Sequence, residues 1–200
     1  MITSLLLAAA TPVPSYFPPA LAVPTPHCRE GLVVRKEPMV SAFEAQWYGQ
    51  HLAAAGEPPL AQAAPADGTT IRFTWLRTFH APVTVRVVGL GSPTPRLIAR
   101  QLSGHGGYDP GQVALRVDRA LTGPEAEQLT AVIADARPFP PVTDALPPCT
   151  MGMDGAEWLM EAIDRRGYRF NKAWSPSNGG VRRVGLAMLT LTGWHVTPIY

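Results

Sequence analysis

Three stretches of the chain carry apolar residues every three or four positions, the spacing typical of an amphipathic helix. The first begins with the capping-box sequence Ser41-Ala42-Phe43-Glu44 and predicts a helix over residues 42–55. The second begins with a similar sequence, Thr122-Gly123-Pro124-Glu125, and is ended by Pro138. The third predicts a helix over residues 181–192, in which Gly185 allows close approach to a sheet.

Between these helices, apolar and polar residues alternate in the manner of half-buried strands. In residues 69–80 the positions Ile71, Phe73 and Trp75 share one face, and Arg72 and Thr74 share the other. Proline and glycine separate the alternating stretches from one another. The predicted strands cover residues 31–34, 69–80, 83–88, 96–102, 112–119, 156–164 and 168–174.

The last two strands are expected to form a hairpin in which opposite charges meet. A two-residue turn at Arg166-Gly167 places Glu161 opposite Lys172 and Asp164 opposite Arg169. The same register sets aromatic side chains opposite aliphatic ones. Each such pair contributes only about 0.2–1 kcal/mol, so the pattern specifies the register more than it stabilises the hairpin.

The order of the predicted elements indicates the fold class. Consecutive strands joined by turns favour an antiparallel sheet, whereas alternating strand–helix units would favour a parallel one. We therefore predict an α+β fold, with a mainly antiparallel sheet of about five to seven strands and two or three packed helices. Residues 31–200 are expected to form this single domain, and residues 1–30 a signal-like or disordered, proline-rich leader.

The N-terminal sequence bears on the compartment. Residues 2–10 (ITSLLLAAA) form an apolar run that resembles the hydrophobic region of a secretory signal. Small residues of the kind found at signal-peptide cleavage sites stand at the end of this run, Ala8-Ala9-Ala10, and again at Ala20-Leu21-Ala22. No basic residue precedes Arg29. We expect a periplasmic or secreted protein; the alternative is a cytoplasmic protein with a disordered N-terminal tail.

The chain has two cysteines, Cys28 and Cys149. In an oxidising compartment they would form one disulfide, which closes a loop of about 120 residues and contributes roughly 5 kcal/mol. The alternative is two unpaired thiols in irregular segments, and the sequence does not decide between them. Because no further ligands stand at the spacing of a metal site, we expect no metal, and we expect no cofactor.

Charge and composition exclude some classes of function. The formal net charge is +2, and the densest basic group (Arg165, Arg166, Arg169 and Lys172) has acidic residues beside it, which argues against nucleic-acid binding. No apolar run reaches the roughly 20 residues that a transmembrane helix needs. Residues 103–111 (SGHGGYDPG) lack the lysine of a phosphate-binding loop and lie between two predicted strands, which indicates a hairpin connection.

Aromatic and charged residues are concentrated in the predicted C-terminal hairpin, which makes it the candidate contact surface. The candidate ligand-binding residues are Trp158, Glu161, Tyr168, Lys172 and Trp174. Ordinary sheet packing is the alternative explanation for each tryptophan. A second hypothesis is a hydrolase in which Glu161 shares acid and base roles with Asp154 or Asp164. No GxSxG or HExxH motif accompanies them.

The C-terminal residues also carry a pattern, DGxxWxxE followed by GY, WSP and GLxxLxLxG, that resembles a family of exported bacterial proteins with no established reaction. Here its residues are Asp154, Gly155, Trp158, Glu161, Gly167, Tyr168, Trp174, Ser175, Pro176, Gly185, Leu186, Leu189 and Leu191. The resemblance covers roughly residues 70–194. It implies an exported habitat and assigns no catalytic residue. The sequence thus favours a non-catalytic exported domain that binds a ligand or an envelope protein.

Overall fold

The computed structural model describes residues 15–63, 67–141, 146, 149, 152 and 154–200. Within them, eight strands and three α-helices follow one another along the chain. In order, these are β1 (Pro24–Glu30), β2 (Val33–Pro38), α1 (Ala42–Ala54), β3 (Thr69–Arg77), β4 (Val83–Leu90), β5 (Arg96–Leu102), β6 (Val113–Ala120), α2 (Gly123–Ala136), β7 (Ala156–Asp164), β8 (Gly167–Trp174) and α3 (Gly180–Leu191).

Six of the described strands form one antiparallel sheet in the order β6-β5-β4-β3-β7-β8. The strands β1 and β2 pair with each other as a separate antiparallel hairpin. This is an α+β fold, and the predicted class is confirmed. The centre of the sheet is β3 and β7; every residue of β7 is buried, which shows that both faces of the sheet are covered there.

Both predicted capping boxes are confirmed, and they explain where α1 and α2 begin. The Ser41 main-chain N–H donates to the Glu44 carboxylate at 2.8 Å, and the Glu44 N–H donates to the Ser41 hydroxyl at 3.2 Å. Thr122 and Glu125 make the same reciprocal pair at the start of α2. Each box satisfies main-chain donors that the first helical turn leaves without partners.

The first face of the main sheet is covered by α2, α3 and the C-terminal residues 192–200. Phe73, Trp75 and Trp158 of the sheet are fully buried there with Leu129 of α2. A Cβ atom at Gly185 would lie 2.9 Å from the ring of Phe73. The predicted close approach of α3 at this glycine is therefore confirmed.

The second face of the sheet is covered by α1 and by residues that precede β1. Tyr48 of α1 is fully buried, and its ring centroid lies 5.9 Å from that of Phe17. Phe17 also lies 5.6 Å from Phe170 of β8, measured between ring centroids. Part of the segment predicted as a leader thus packs onto the domain. The predicted apolar run at residues 2–10 lies outside the described residues.

The predicted C-terminal hairpin exists, but its register differs from the prediction. The turn is Arg165-Arg166 and not Arg166-Gly167. Each residue of β7 therefore pairs with the β8 residue two positions before its predicted partner. Glu161 consequently lies opposite Phe170 and not opposite Lys172. A shift of two residues leaves every side chain on its expected face, because side chains alternate with a period of two.

Asp164 explains why this turn is preferred. Its carboxylate accepts a hydrogen bond from the main-chain N–H of Arg166 at 2.8 Å, which closes the turn. It also accepts from the guanidinium of Arg169 at 2.5 Å, so the predicted pair survives as a diagonal contact. Gly167 takes a φ of +101°, which a residue with a side chain rarely adopts.

Cys28 and Cys149 form a disulfide, which decides between the two alternatives that the sequence left open. The bond joins residues separated by 121 positions. Beside it, the main-chain N–H of Cys149 donates to the carbonyl of Arg29 at 3.2 Å. The β1–β2 hairpin is therefore tied to the segment that connects α2 with β7.

The glycine-rich stretch 103–111 connects β5 and β6, as predicted. Only Gly111 among its glycines takes a positive φ, of +67°. At Gly106 a glycine is required by close packing, because a Cβ atom there would lie 2.5 Å from the main chain of Arg77. The Trp47 indole of α1 donates to the Gly106 carbonyl at 2.7 Å and holds the loop against the helix.

Candidate functional site

The structure does not bring the five predicted contact residues onto one surface. Trp158 lies on the first face with no exposed area, and its ring centroid is 5.2 Å from Phe73 and 5.1 Å from Trp75. Its indole N–H donates to the main-chain oxygen of Tyr200 at 2.9 Å. Trp158 is therefore a core residue, with its one polar atom satisfied.

Glu161 lies on the opposite, second face and belongs to what we call the buried ionic network, formed by Arg72, Glu57, Glu161, Arg86 and Tyr168. The Arg72 Nε–H donates to Glu161 at 2.8 Å, and the Tyr168 hydroxyl donates to the other oxygen of Glu161 at 2.9 Å. Arg72 also contacts Glu57 at 3.3 Å, and Arg86 donates to the same Glu57 oxygen at 2.7 Å. The network links β3, β4, β7 and β8 to the segment after α1.

Electrostatics fix the charge states of Arg72 and Tyr168 within the buried ionic network. Burial disfavours the charged form of Arg72, but the carboxylates of Glu161 and Glu57 outweigh this effect and the pKa of Arg72 is raised. Burial also raises the pKa of Tyr168, and the adjacent Glu161 charge adds to the increase. Arg72 thus stays a cation and Tyr168 a neutral donor, and both donate to Glu161.

This arrangement bears on the hydrolase hypothesis. Glu161 has no exposed area, and its two oxygens already accept from Arg72 and Tyr168. Asp164 accepts from Arg166 and Arg169; the hydrogen bond from Arg166 is the main reason that its pKa is lowered. Asp154 is exposed. The pair Glu161–Asp164 therefore lacks the accessible acid that glycoside or ester hydrolysis needs.

The remaining predicted residues lie on the second face, toward the end of β8. Trp174 is 37% exposed and covers Gly155. Lys172 forms its ion pair with Glu44 of α1, and not with Glu161 as predicted. The pair joins the helix to the sheet across 128 residues of sequence. It could not be derived from the hairpin alone, because α1 is distant in the chain.

Glu157 lies close to this ion pair and is 6% exposed. Burial raises the pKa of Glu157 to about 7. The charge of Lys172 and a hydrogen bond from Tyr48 act against this increase, and the charge of Glu44 adds to it. The second face thus contains one carboxyl group that titrates near neutral pH.

Replacing Glu157 with glutamine is expected to change the pH dependence of stability. The unfolded chain releases this proton near pH 4.5 and the folded protein only near pH 7, so stability falls as the pH rises across that interval. We expect the free energy of unfolding of Glu157→Gln to match that of the wild type at pH 4 and to exceed it by about 1–3 kcal/mol at pH 8. Urea unfolding across this range measures the difference.

Glu127→Gln is the control for this experiment, because Glu127 is exposed on α2. Its stability should keep the pH dependence of the wild type. A Glu157→Gln variant that follows the wild-type curve at every pH would show that the folded protein does not retain a proton on Glu157.

A cavity of about 430 Å³ opens on the first face, between the end of α2 and the β7–β8 hairpin. Its walls are apolar and come from distant parts of the chain: Ile71 and Leu90 from the central sheet, Ile133 from α2, Phe139 and Ala162. Cavities of roughly 300–1,000 Å³ with mostly apolar walls are typical of small-molecule sites. This cavity is the best-formed candidate site in the described part of the chain.

Three arginines converge on the same cavity: Arg137, Arg166 and Arg169. Arg137 follows the last residue of α2 and takes a left-handed backbone conformation, with φ of 48°. The Arg169 guanidinium lies 5.1 Å from the ring centroid of Phe139, a cation–π contact. Its Nη2 donates to Asp164, but its Nε is buried and has no hydrogen-bond partner within the described structure.

The sequence pointed to part of this site without identifying it. The sequence showed the dense basic group around Arg166 and Arg169, and the prediction that this group lies on a hairpin is confirmed. Arg137 and the apolar walls carried no signal, because they become neighbours only when α2 packs on the sheet. Asn171 helps to fix this packing, since its side chain donates to the carbonyl of Pro138 at 2.7 Å.

A second depression, of about 650 Å³, lies beside α1. It is lined by α1 and by residues 15–17, including Tyr16, Phe17 and Gly49. None of the residues lining it is charged. Because ligand sites combine apolar walls with a few convergent polar groups, the arginine-lined cavity is the stronger candidate.

No helix in the described part of the chain combines the length and the apolar character needed to cross a membrane. Among the same residues, no three His, Cys, Asp or Glu side chains are grouped so that they could hold a metal ion.

Comparison with models of protein families found no match, and comparison with curated proteins found none either. The geometry of the site is therefore the basis for a functional proposal.

Proposed function

We propose that this protein is a non-catalytic exported domain, periplasmic or secreted, that binds a small ligand with an apolar body in the cavity beside α2. The observation that carries the proposal is the cavity itself, with a volume of about 430 Å³, apolar walls and three arginines at its edge. Such a combination buries a ligand and fixes its orientation. A non-catalytic role agrees with the full burial of Glu161, the residue on which the hydrolase hypothesis depends.

The exported habitat is supported by two observations. Disulfides persist in oxidising compartments and are rare in the cytosol, and Cys28 is bonded to Cys149. The C-terminal pattern around Trp158 and Trp174 resembles a family of exported bacterial proteins, which is consistent with the same habitat. Binding of an envelope protein at the partly exposed Trp174 is the alternative form of the proposal.

The test is a binding measurement with Nile red, a neutral apolar dye whose fluorescence increases in an apolar site. Ala134 lines the cavity from the exposed side of α2, so Ala134→Trp should fill the entrance without disturbing the core. We expect this variant to lower the affinity for Nile red at least tenfold. Fluorescence titration of the wild type and the variant measures the change.

Ala131→Trp is the matched control, since Ala131 is an exposed alanine of the same helix that does not line the cavity. It should bind Nile red as the wild type does. If the wild type does not bind the dye, or if both tryptophan variants bind it with wild-type affinity, the cavity is not a ligand site and the proposal fails.

A further inference from the structure

The residues that line the cavity also indicate the charge of the ligand that it would bind. We propose that the ligand is a single-chain anionic amphiphile of the fatty-acid type, whose carboxylate lies at Arg137 and Arg169 and whose chain lies against Ile133 and Phe139. This inference rests on the proposed function, because it requires that the cavity binds a ligand.

The described side chains around the cavity carry more positive than negative charge. Three arginines line it, Arg137, Arg166 and Arg169. Among the described residues, the carboxylate that pairs with them is that of Asp164, which contacts Arg166 at 2.8 Å and Arg169 at 2.5 Å. Within the part of the chain that the structure describes, three positive groups and one negative group leave an excess of two positive charges. An anionic head group is complementary to this excess.

The hydrogen bonds of Arg169 also favour an anionic ligand. Its Nη2 is used by Asp164, whereas its buried Nε–H has no acceptor within the described residues. A buried donor without an acceptor is costly, and a ligand oxygen would remove that cost. Guanidinium groups bind carboxylates well, because the planar fork of donors matches two carboxylate oxygens. Phe139 holds the guanidinium plane in place through the cation–π contact.

The size of the cavity and its apolar walls favour a single hydrocarbon chain. Ile71, Leu90, Ile133 and Ala162 offer only aliphatic contacts to a ligand inside the cavity. At about 430 Å³, the volume lies in the lower half of the range for small-molecule sites, which suits one hydrocarbon chain and not two. A head group held by arginines at the edge and a chain along the walls satisfies both parts of the site.

The experiment compares three probes of defined chemistry, each titrated against Nile red bound to the full-length protein. Dodecanoate has the chain and the charge, dodecanol has the chain alone, and butanoate has the charge with almost no chain. We expect dodecanoate to displace the dye at a concentration at least tenfold lower than dodecanol, and butanoate to displace none.

Two variants test the role of the arginines. In Arg169→Gln and in Arg137→Gln, the preference for dodecanoate over dodecanol should fall at least threefold, while the affinity for dodecanol stays the same. Arg137 is exposed, so its replacement does not endanger folding if Arg169→Gln proves unstable. Arg96→Gln is the control, because Arg96 lies on β5 in an exposed ion pair with Asp118 and does not line the cavity.

The outcomes separate this inference from the proposed function. If dodecanol and dodecanoate displace Nile red equally well, or if the arginine variants keep the full preference, the cavity binds apolar ligands but the anionic head group is wrong. Displacement by butanoate at the same concentration as dodecanoate overturns the requirement for a chain. If Nile red does not bind in the cavity at all, the proposed function fails and this inference fails with it.

Discussion

Replacing Arg72 with methionine is expected to lower the free energy of unfolding by about 3–5 kcal/mol. Arg72 is fully buried and is the cation that lies between Glu161 and Glu57. Methionine has a similar length but no charge, so both carboxylates would lose a partner while they remain buried. Unpaired buried charges are among the most destabilising changes that a single substitution can make. Urea unfolding followed by circular dichroism measures the loss.

The control for this prediction is Arg96→Met. Arg96 also forms an ion pair, with Asp118 at 2.6 Å, but the two side chains are 55% and 43% exposed. Exposed pairs contribute about 0–1 kcal/mol, and we expect a loss in that range. Adding Glu161→Gln to Arg72→Met should recover part of the stability, since it removes one uncompensated charge. If Arg72→Met costs no more than Arg96→Met, the buried ionic network does not stabilise the fold as described.

Removing the disulfide is expected to cost about 2–5 kcal/mol in the double variant Cys28→Ser/Cys149→Ser. The bond closes a loop between residues 121 positions apart, and loop-closure entropy alone corresponds to roughly 5 kcal/mol for a loop of that size. It also anchors the β1–β2 hairpin, which has no place in the main sheet. Isolated two-stranded hairpins are at best marginally stable in water.

Thermal and urea unfolding of the double variant, with and without a thiol reductant, measure this contribution. The reductant should destabilise the wild type to the level of the variant and should leave the variant unchanged. Two titratable thiols in the oxidised, purified wild-type protein, or equal stability of the two proteins, would contradict the assignment of the disulfide. The exported habitat would then lose its structural support.

The sequence predicted best those elements whose cause is local. Capping boxes at Ser41 and Thr122 act within four residues, and the strands at 96–102 and 156–164 match the observed β5 and β7. The strand β1 escaped prediction, because Pro24 and Pro26 are unusual within a strand and suit only an edge.

The features that escaped prediction depend on contacts between distant parts of the chain. The hairpin register was inferred from charge pairs within the hairpin, but Glu161 is paired with Arg72 across 89 residues and Lys172 with Glu44 across 128. The candidate cavity is a further case, since Arg137 and Arg169 line it together only because α2 packs on the sheet. Aromatic residues such as Trp158 are concentrated in the hairpin because they form part of the core, and from the sequence this concentration was interpreted as a contact surface.

Ligand-induced chemical shifts of backbone amides test most directly whether a small ligand binds between α2 and the β7–β8 hairpin. The isotopically labelled protein would be titrated with dodecanoate and, separately, with dodecanol. We expect the largest shifts at cavity residues such as Thr130, Ile133, Ala162 and Arg169. Shifts confined to the depression beside α1, around Gly49, or no saturable shifts with either ligand, would contradict it.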